Sequence, residues 1–155
     1  MIDKKDSLDE KLYECNMHKK RLQSARTKLK PLMPLTLEVY EDMDDIFSMV
    51  IDQMIFRFSK LQDTLGDKVF SKLLELSGED VKKMTFLDKL NRLEELEILT
   101  KESWMHLREY RNEIAHEYSF NQDEVVDSIN LIYEKSDVLI AILDTLQRFA
   151  EEKLK

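Results

Sequence analysis

Two glycines, two prolines and one cysteine are all that the 155 residues hold of the types that shape turns and crosslinks. With so few glycines the tight turns of β-hairpins have no supply, while Leu, Glu, Lys and Met, all strong helix formers, abound. The scarcity therefore points to an all-α chain. The lone Cys15 has no intrachain partner for a disulfide, and the opening MIDKKDSLDEK is too charged to form the apolar core of a signal peptide. A reducing, cytoplasmic setting is the expectation. No run of eighteen apolar residues occurs, so no membrane span is expected. The length suits one domain with its own core, and neither a repeat nor a linker divides residues 1–155.

A net positive charge is also lacking. The formal net charge is −8, which weighs against a nucleic-acid binder, because contact with phosphates relies on cations. Its distribution is uneven, however. Between Glu14 and Glu38 there is no acidic residue, and Lys19, Lys20, Arg21, Arg26, Lys28 and Lys30 make this the most asymmetric stretch of the chain. These six are candidate RNA contacts; the plainer reading is a solvated helix face.

What is present is a succession of helical patterns. A first helix is expected from Ser7, spaced from Glu10 as in a capping box, to Lys30, where Pro31 and Pro34 intervene. Its apolar stripe, Leu8, Leu12, Cys15, Leu22 and Leu29, is interrupted by Lys19 and Arg26, so it should lie against the bundle rather than inside it. Thr36 caps a second helix with apolar positions from Val39 to Leu65, stopped by Gly66. A shorter helix over 67–76 ends at Gly78, and helices opened by Thr85 with Asp88 and by Thr100 with Glu102 follow. Tyr118 falls in a turn, and Asn121 with Glu124 caps the last helix. There Val125, Ile129, Ile132, Ser136, Leu139, Leu143, Leu146 and Ala150 alternate by fours and threes, as a bundle or dimer seam does.

One constellation carries chemistry. Arg111 precedes His116 by five positions, a spacing that chance supplies about 0.14 times in a chain of this composition. Requiring Asn112 after the arginine and Tyr118 two after the histidine lowers that to roughly one in ten thousand. The segment Arg111-Asn112-Glu113-Ile114-Ala115-His116-Glu117-Tyr118 resembles the Arg-polar-x-x-x-His-x-Tyr signature of HEPN proteins of the HepT type. Phe56-Arg57-Phe58-Ser59-Lys60-Leu61-Gln62-Asp63-Thr64-Leu65-Gly66 is similar to that family's second helix, and the likeness extends over residues 38–150.

The resemblance implies an antiparallel four-helix bundle with extra short helices, and a metal-independent endoribonuclease that works as a homodimer. It further implies the toxin of a type II/VII-like toxin–antitoxin pair, neutralised when a small MNT-type nucleotidyltransferase antitoxin adenylylates Tyr118. HEPN domains also serve as non-catalytic substrate-binding or docking partners of nucleotidyltransferases, and a fold does not decide between the two.

The chemistry of such a site can be derived from its residues. On an ideal helix Arg111 and His116 point about 140° apart, whereas Arg108, Asn112 and His116 share one stripe. One histidine is few for a phosphoryl transfer that uses both an acid and a base, so a two-fold dimer that pools two Arg111 and two His116 fits best. His116 would move the proton, Arg111 would stabilise charge on the phosphate, and Asn112 would orient either one. With the 2′-OH as nucleophile, RNA is the substrate and DNA is not. Each residue also has a plain reading: Arg111 as a surface ion-pair partner, His116 as a helix C-terminal cation, Tyr118 as an amphipathic rim residue.

Other constellations are weaker. Glu113 and His116 form a single Glu-x-x-His unit where a di-iron bundle needs two, so no metal or other cofactor is expected. His106 and Trp104 read as packing residues, and Arg57 reads as snorkelling at a core edge. No Gly-rich phosphate loop is present, so the chain should not itself bind ATP as a nucleotidyltransferase does.

Overall fold

In the computed structural model, which describes residues 4–114 and 120–154, every regular element is a helix or a helical turn. Seven α-helices follow one another among these residues: α1 (Lys4–Leu29), α2 (Leu37–Glu41), α3 (Asp45–Thr64), α4 (Phe70–Leu76), α5 (Phe86–Glu95), α6 (Lys101–Ile114) and α7 (Gln122–Lys153). No described helix is long and apolar enough to cross a membrane.

Most helix starts follow the expected chemistry. The Thr36 hydroxyl accepts from the Val39 N–H, Thr85 and Asp88 form a reciprocal capping box, and Asn121 accepts from the Glu124 N–H. Thr100 likewise accepts from the Ser103 N–H at 3.1 Å.

Three boundaries differ from expectation. The first helix already runs at Ser7, because α1 begins at Lys4, so Ser7 lies inside the helix and does not open it. The second helix is not continuous: α2 ends at Glu41, and Asp44 starts α3 afresh by accepting from the Phe47 N–H. An aspartate inside an apolar period competes for backbone donors, and here it wins the first turn of a new helix. Gly66 does not stop a helix either. It sits in a π-helical turn, Leu65–Val69, that joins α3 to α4 without a break in the helical path. A Cβ added at Gly66 would lie 3.1 Å from Trp104 Cζ2, so the missing side chain admits the indole of α6. The chain turns only after Ser77, at Gly78, whose φ of +93° favours glycine.

The interior is a single cluster drawn from every helix except α2. α1 lies along α3 and also meets α4 and α7, with Leu8, Leu12, Cys15, Leu22, Ala25 and Leu29 all buried. This corrects the expectation of a peripheral first helix. Lys19 and Arg26, which break its apolar stripe, reach across to α7 instead. Lys19 Nζ lies 2.7 Å from Asp144, and Arg26 forms a fork with Asp137 at 2.8 and 3.2 Å while donating to the Tyr133 carbonyl at 2.9 Å. With the Asn16–Gln147 amide pair, these contacts descend α7 as they ascend α1, so the two helices run antiparallel. Burial raises the Cys15 thiol to about 12, with Glu14 adding to the shift and Lys11 opposing it. A thiol so placed is inert to alkylation while the chain is folded.

The α7 seam is internal: Val125, Ile129, Ile132, Ser136, Leu139, Leu143 and Leu146 are all buried within one chain, which favours the bundle reading over the dimer reading for this stripe. Asn130 beside it accepts from the Leu35 N–H at 2.7 Å and donates to the Leu35 carbonyl at 2.8 Å, tying the loop before α2 to α7.

The α1–α7 pairs predict an order of effects. Arg26→Ala loses the carboxylate fork, the backbone carbonyl and a cation–π contact with Tyr133 at 4.7 Å, whereas Asp137→Ala loses only an exposed carboxylate. Urea denaturation should find Arg26→Ala destabilised by about 1–2 kcal/mol and Asp137→Ala by less than about 1 kcal/mol. Equal losses would mean that the carboxylate alone matters.

Candidate functional site

The motif helix is fixed from below. Trp104, Leu107 and Ile114 of α6 are buried, and this turns Arg108, Arg111 and Asn112 toward the surface beside the end of α3. Gln62, itself buried, fastens the two helices together. With its amide assigned from the surrounding groups, its nitrogen donates to the Leu107 carbonyl at 3.2 Å and its oxygen accepts from the Arg108 N–H at 2.9 Å. Gly66 opposite Trp104 and Asp63 opposite Arg111 extend this junction, in which α3 and α6 run antiparallel.

Arg111 meets a carboxylate across the junction. Its Nε and Nη2 approach the two Asp63 oxygens at 3.5 and 3.3 Å, with a third of the arginine side chain still exposed. A tight guanidinium–carboxylate fork sits near 2.8 Å. Arg111 is thus steered by Asp63 but not locked to it, and its remaining donors can meet an incoming anion. Sequence reasoning did not find Asp63, because 48 positions separate the pair and only folding brings them together.

Around this pair lies a recess of about 270 Å³ lined by Gln62, Asp63, Gly66, Asp67, Phe86, Trp104, Arg108, Arg111 and Asn112. Arg108 holds its guanidinium 5.3 Å from the Phe86 ring centre, and Asn112, one turn further on, is exposed. A second hollow shares Asp63 and Arg111 with the first and is lined besides by Asp52, Ile55, Phe56, Ser59 and Lys60. His116 and Tyr118 lie outside the described residues.

The basic stretch divides. Lys19 and Arg26 are committed to α7, whereas Lys20, Arg21, Lys28 and Lys30 are exposed. Trp104 is a packing residue as expected, but His106 is exposed, with its ring tilted 6.2 Å from that of Tyr110. Arg57 does lie at a core edge: its Nη1 contacts His18 Nδ1 at 3.0 Å, and its Nε is buried without a hydrogen-bond partner. Among the described residues no three His, Cys, Asp or Glu side chains gather as a metal site.

His18 makes stability depend on pH. Burial, and then the charge of Arg57, with a smaller push from Lys60, hold its pKa below the usual histidine value, and Glu14 opposes them. As pH falls through about 6.5 the unfolded chain takes up a proton at this residue that the folded chain refuses. The unfolded state then binds more protons, so this contribution to stability is present at neutral pH and declines on acidification until the folded imidazole also titrates. Urea midpoints measured from about pH 7.5 down to 5 should fall less steeply in His18→Gln than in the wild type. Parallel curves would remove His18 as the cause.

No family model, curated protein or solved structure matches the chain. What fold and site together define is an all-helical protein with an arginine-bearing recess where α3 meets α6.

Proposed function

We propose that the chain is a HEPN-type endoribonuclease of the HepT kind, metal-independent and homodimeric, acting as the toxin of a toxin–antitoxin pair. The observation that carries this reading is the placement of Arg111: steered by Asp63, flanked by Arg108 and Asn112 at a recess, and five positions ahead of His116. The antiparallel α1–α7 and α3–α6 pairings suit the four-helix bundle that such a protein needs.

In the reaction the RNA 2′-oxygen attacks the adjacent phosphorus as His116 removes its proton. The bond from phosphorus to the 5′-oxygen breaks, and that oxygen receives a proton from the His116 of a second copy. Arg111 meets the charge that grows on the phosphate oxygens. The products are a 2′,3′-cyclic phosphate and a 5′-hydroxyl. Ile46, Met49 and Phe56 are exposed along one face of α3 at heptad spacing, offering a second copy an apolar seat that leads to Asp63 and Arg111. Of the basic stretch, Lys20, Arg21, Lys28 and Lys30 are free to meet RNA phosphates.

Inducing wild type and His116→Ala side by side, with growth scored and RNA ends mapped, tests the reading. The wild type should arrest growth and leave cyclic phosphate ends, and cleavage should persist in EDTA. Activity that EDTA abolishes and magnesium restores would count decisively against it. Tyr118→Phe should stay toxic yet escape an antitoxin that transfers AMP, since a phenyl ring has no acceptor oxygen.

A second reading, a silent HEPN partner of a nucleotidyltransferase, draws on the same ion pair: an arginine already facing a carboxylate needs no substrate to explain it. Under that reading His116→Ala and wild type behave alike.

A further inference from the structure

The recess between the α3–α4 junction and α6 has a composition that phosphate binding does not explain. Two arginines, Arg108 and Arg111, face two aspartates, Asp63 and Asp67, so the rim carries no net charge for an anion. Asp63 already turns toward Arg111. What remains is a neutral hollow with an aromatic wall at Phe86, the Arg108 guanidinium 5.3 Å from that ring's centre, and donors and acceptors at Asn112 and Asp67. At about 270 Å³ it is smaller than the usual site for a drug-sized molecule and suits one planar ring system. The π-helical turn at Leu65–Val69 is a separate observation. Such turns are rare and recur at functional sites. This one places Gly66 against Trp104 and Asp67 at the rim.

We propose that this recess is a nucleobase seat, which receives an unstacked base of single-stranded RNA and so brings the neighbouring phosphate to Arg111. The base stacks on the Arg108 guanidinium and the Phe86 edge, as unpaired bases do on arginine planes and aromatic rings. Asn112 and Asp67 meet its hydrogen-bonding edge. Arg111, on the wall that the seat shares with the neighbouring hollow, meets the phosphate with the donors that Asp63 leaves free. This rests on the ribonuclease reading for the source of the base, but not for the existence of the seat.

Trp104 is the sole tryptophan of the chain and lines the recess, so its fluorescence reports on occupancy. The full-length protein is titrated with a single-stranded oligoribonucleotide carrying 2′-O-methyl groups to block cleavage, with the four nucleoside monophosphates, and with ribose 5-phosphate. The oligonucleotide and at least one nucleotide should change the emission saturably, and ribose 5-phosphate should not. Arg108→Ala, an exposed position whose loss leaves the core intact, should weaken binding about tenfold or more. Phe86→Leu should do likewise, whereas Leu87→Ala, at an exposed neighbour outside the recess, should not. Equal response to ribose 5-phosphate would make this a phosphate site and overturn the proposal. So would an unchanged affinity in Arg108→Ala, no response to any ligand, or a response to mononucleotides without one to the oligonucleotide. The outcome is separable from catalysis: saturable base binding with no RNA cleavage would leave the seat standing and remove the nuclease, and cleavage without base binding would do the reverse.

Discussion

On the proposed ribonuclease reading, Arg111→Ala is expected to slow RNA cleavage by about two to three orders of magnitude, the usual loss when a preorganised donor to a developing oxyanion is removed. The fold should hardly notice. Arg111 keeps a third of its side chain exposed, and its contacts with Asp63 are long, so the pair contributes about 1 kcal/mol or less to stability. Arg111→Lys should recover only part of the rate, because an ammonium restores the charge but not the planar fork. His116→Ala should cost about two to four orders of magnitude, as general acid–base groups do. Asp63→Asn should fall between wild type and Arg111→Ala, since it loosens the steering of a guanidinium that is still present. Single-turnover cleavage of a single-stranded RNA, read beside thermal melts, measures all four. An Arg111→Ala protein that cleaves at the wild-type rate would reduce the arginine to a surface partner of Asp63.

Trp104→Ala should be the most destabilising single change at the α3–α6 junction, by about 3–5 kcal/mol. The indole is 1% exposed, packs edge-on against Phe70 at 4.7 Å between ring centres, and fills the space left by the missing side chain of Gly66. An alanine leaves a cavity walled by the π-helical turn and α6, whose spacing Gln62 fixes by bonding α3 to the α6 backbone. One effect runs the other way. Trp104 Nε1 is buried without a hydrogen-bond partner, and removing it relieves a desolvation cost of about 1–3 kcal/mol. Trp104→Phe, which removes that group but keeps most of the ring, should therefore cost much less than Trp104→Ala. Urea midpoints with unchanged slopes would report the difference. A loss below about 1 kcal/mol for Trp104→Ala would mean that the junction relaxes freely. Gly66→Ala tests the same contact from the other side. Its Cβ would sit 3.1 Å from Cζ2, so the indole must shift by a few tenths of an ångström, against a modest gain in helix propensity.

Several elements could be read directly because their causes are local. Thr36, Thr85, Thr100 and Asn121 cap helices as their spacing suggests, since a cap involves a side chain and a backbone N–H two or three positions away. The α7 stripe is buried from Val125 to Leu146 where the four-and-three alternation places it, and Ala150 at its end is partly buried. The same period could not distinguish a bundle seam from a dimer seam, because either burial satisfies it equally. Nor did apolar spacing reveal the break at Asp42–Asp44, where one short acidic side chain captures a backbone donor within an otherwise regular pattern.

Composition and local spacing determined by themselves that the chain is helical, where most helices begin, and that Arg111 and Asn112 share a helix leading to His116. Tertiary structure alone decided what those residues face. Lys19 and Arg26 looked like interruptions and members of a basic patch until α7 supplied Asp144 and Asp137. Gly66 looked like a stop until Trp104 came to lie against it, and the partner of Arg111 is an aspartate 48 positions away in another helix. The physical reason is the same in each case. A charge or a missing side chain is satisfied by whatever packing brings within a few ångströms, and that neighbour is set by the burial of the whole core rather than by the residues beside it in sequence.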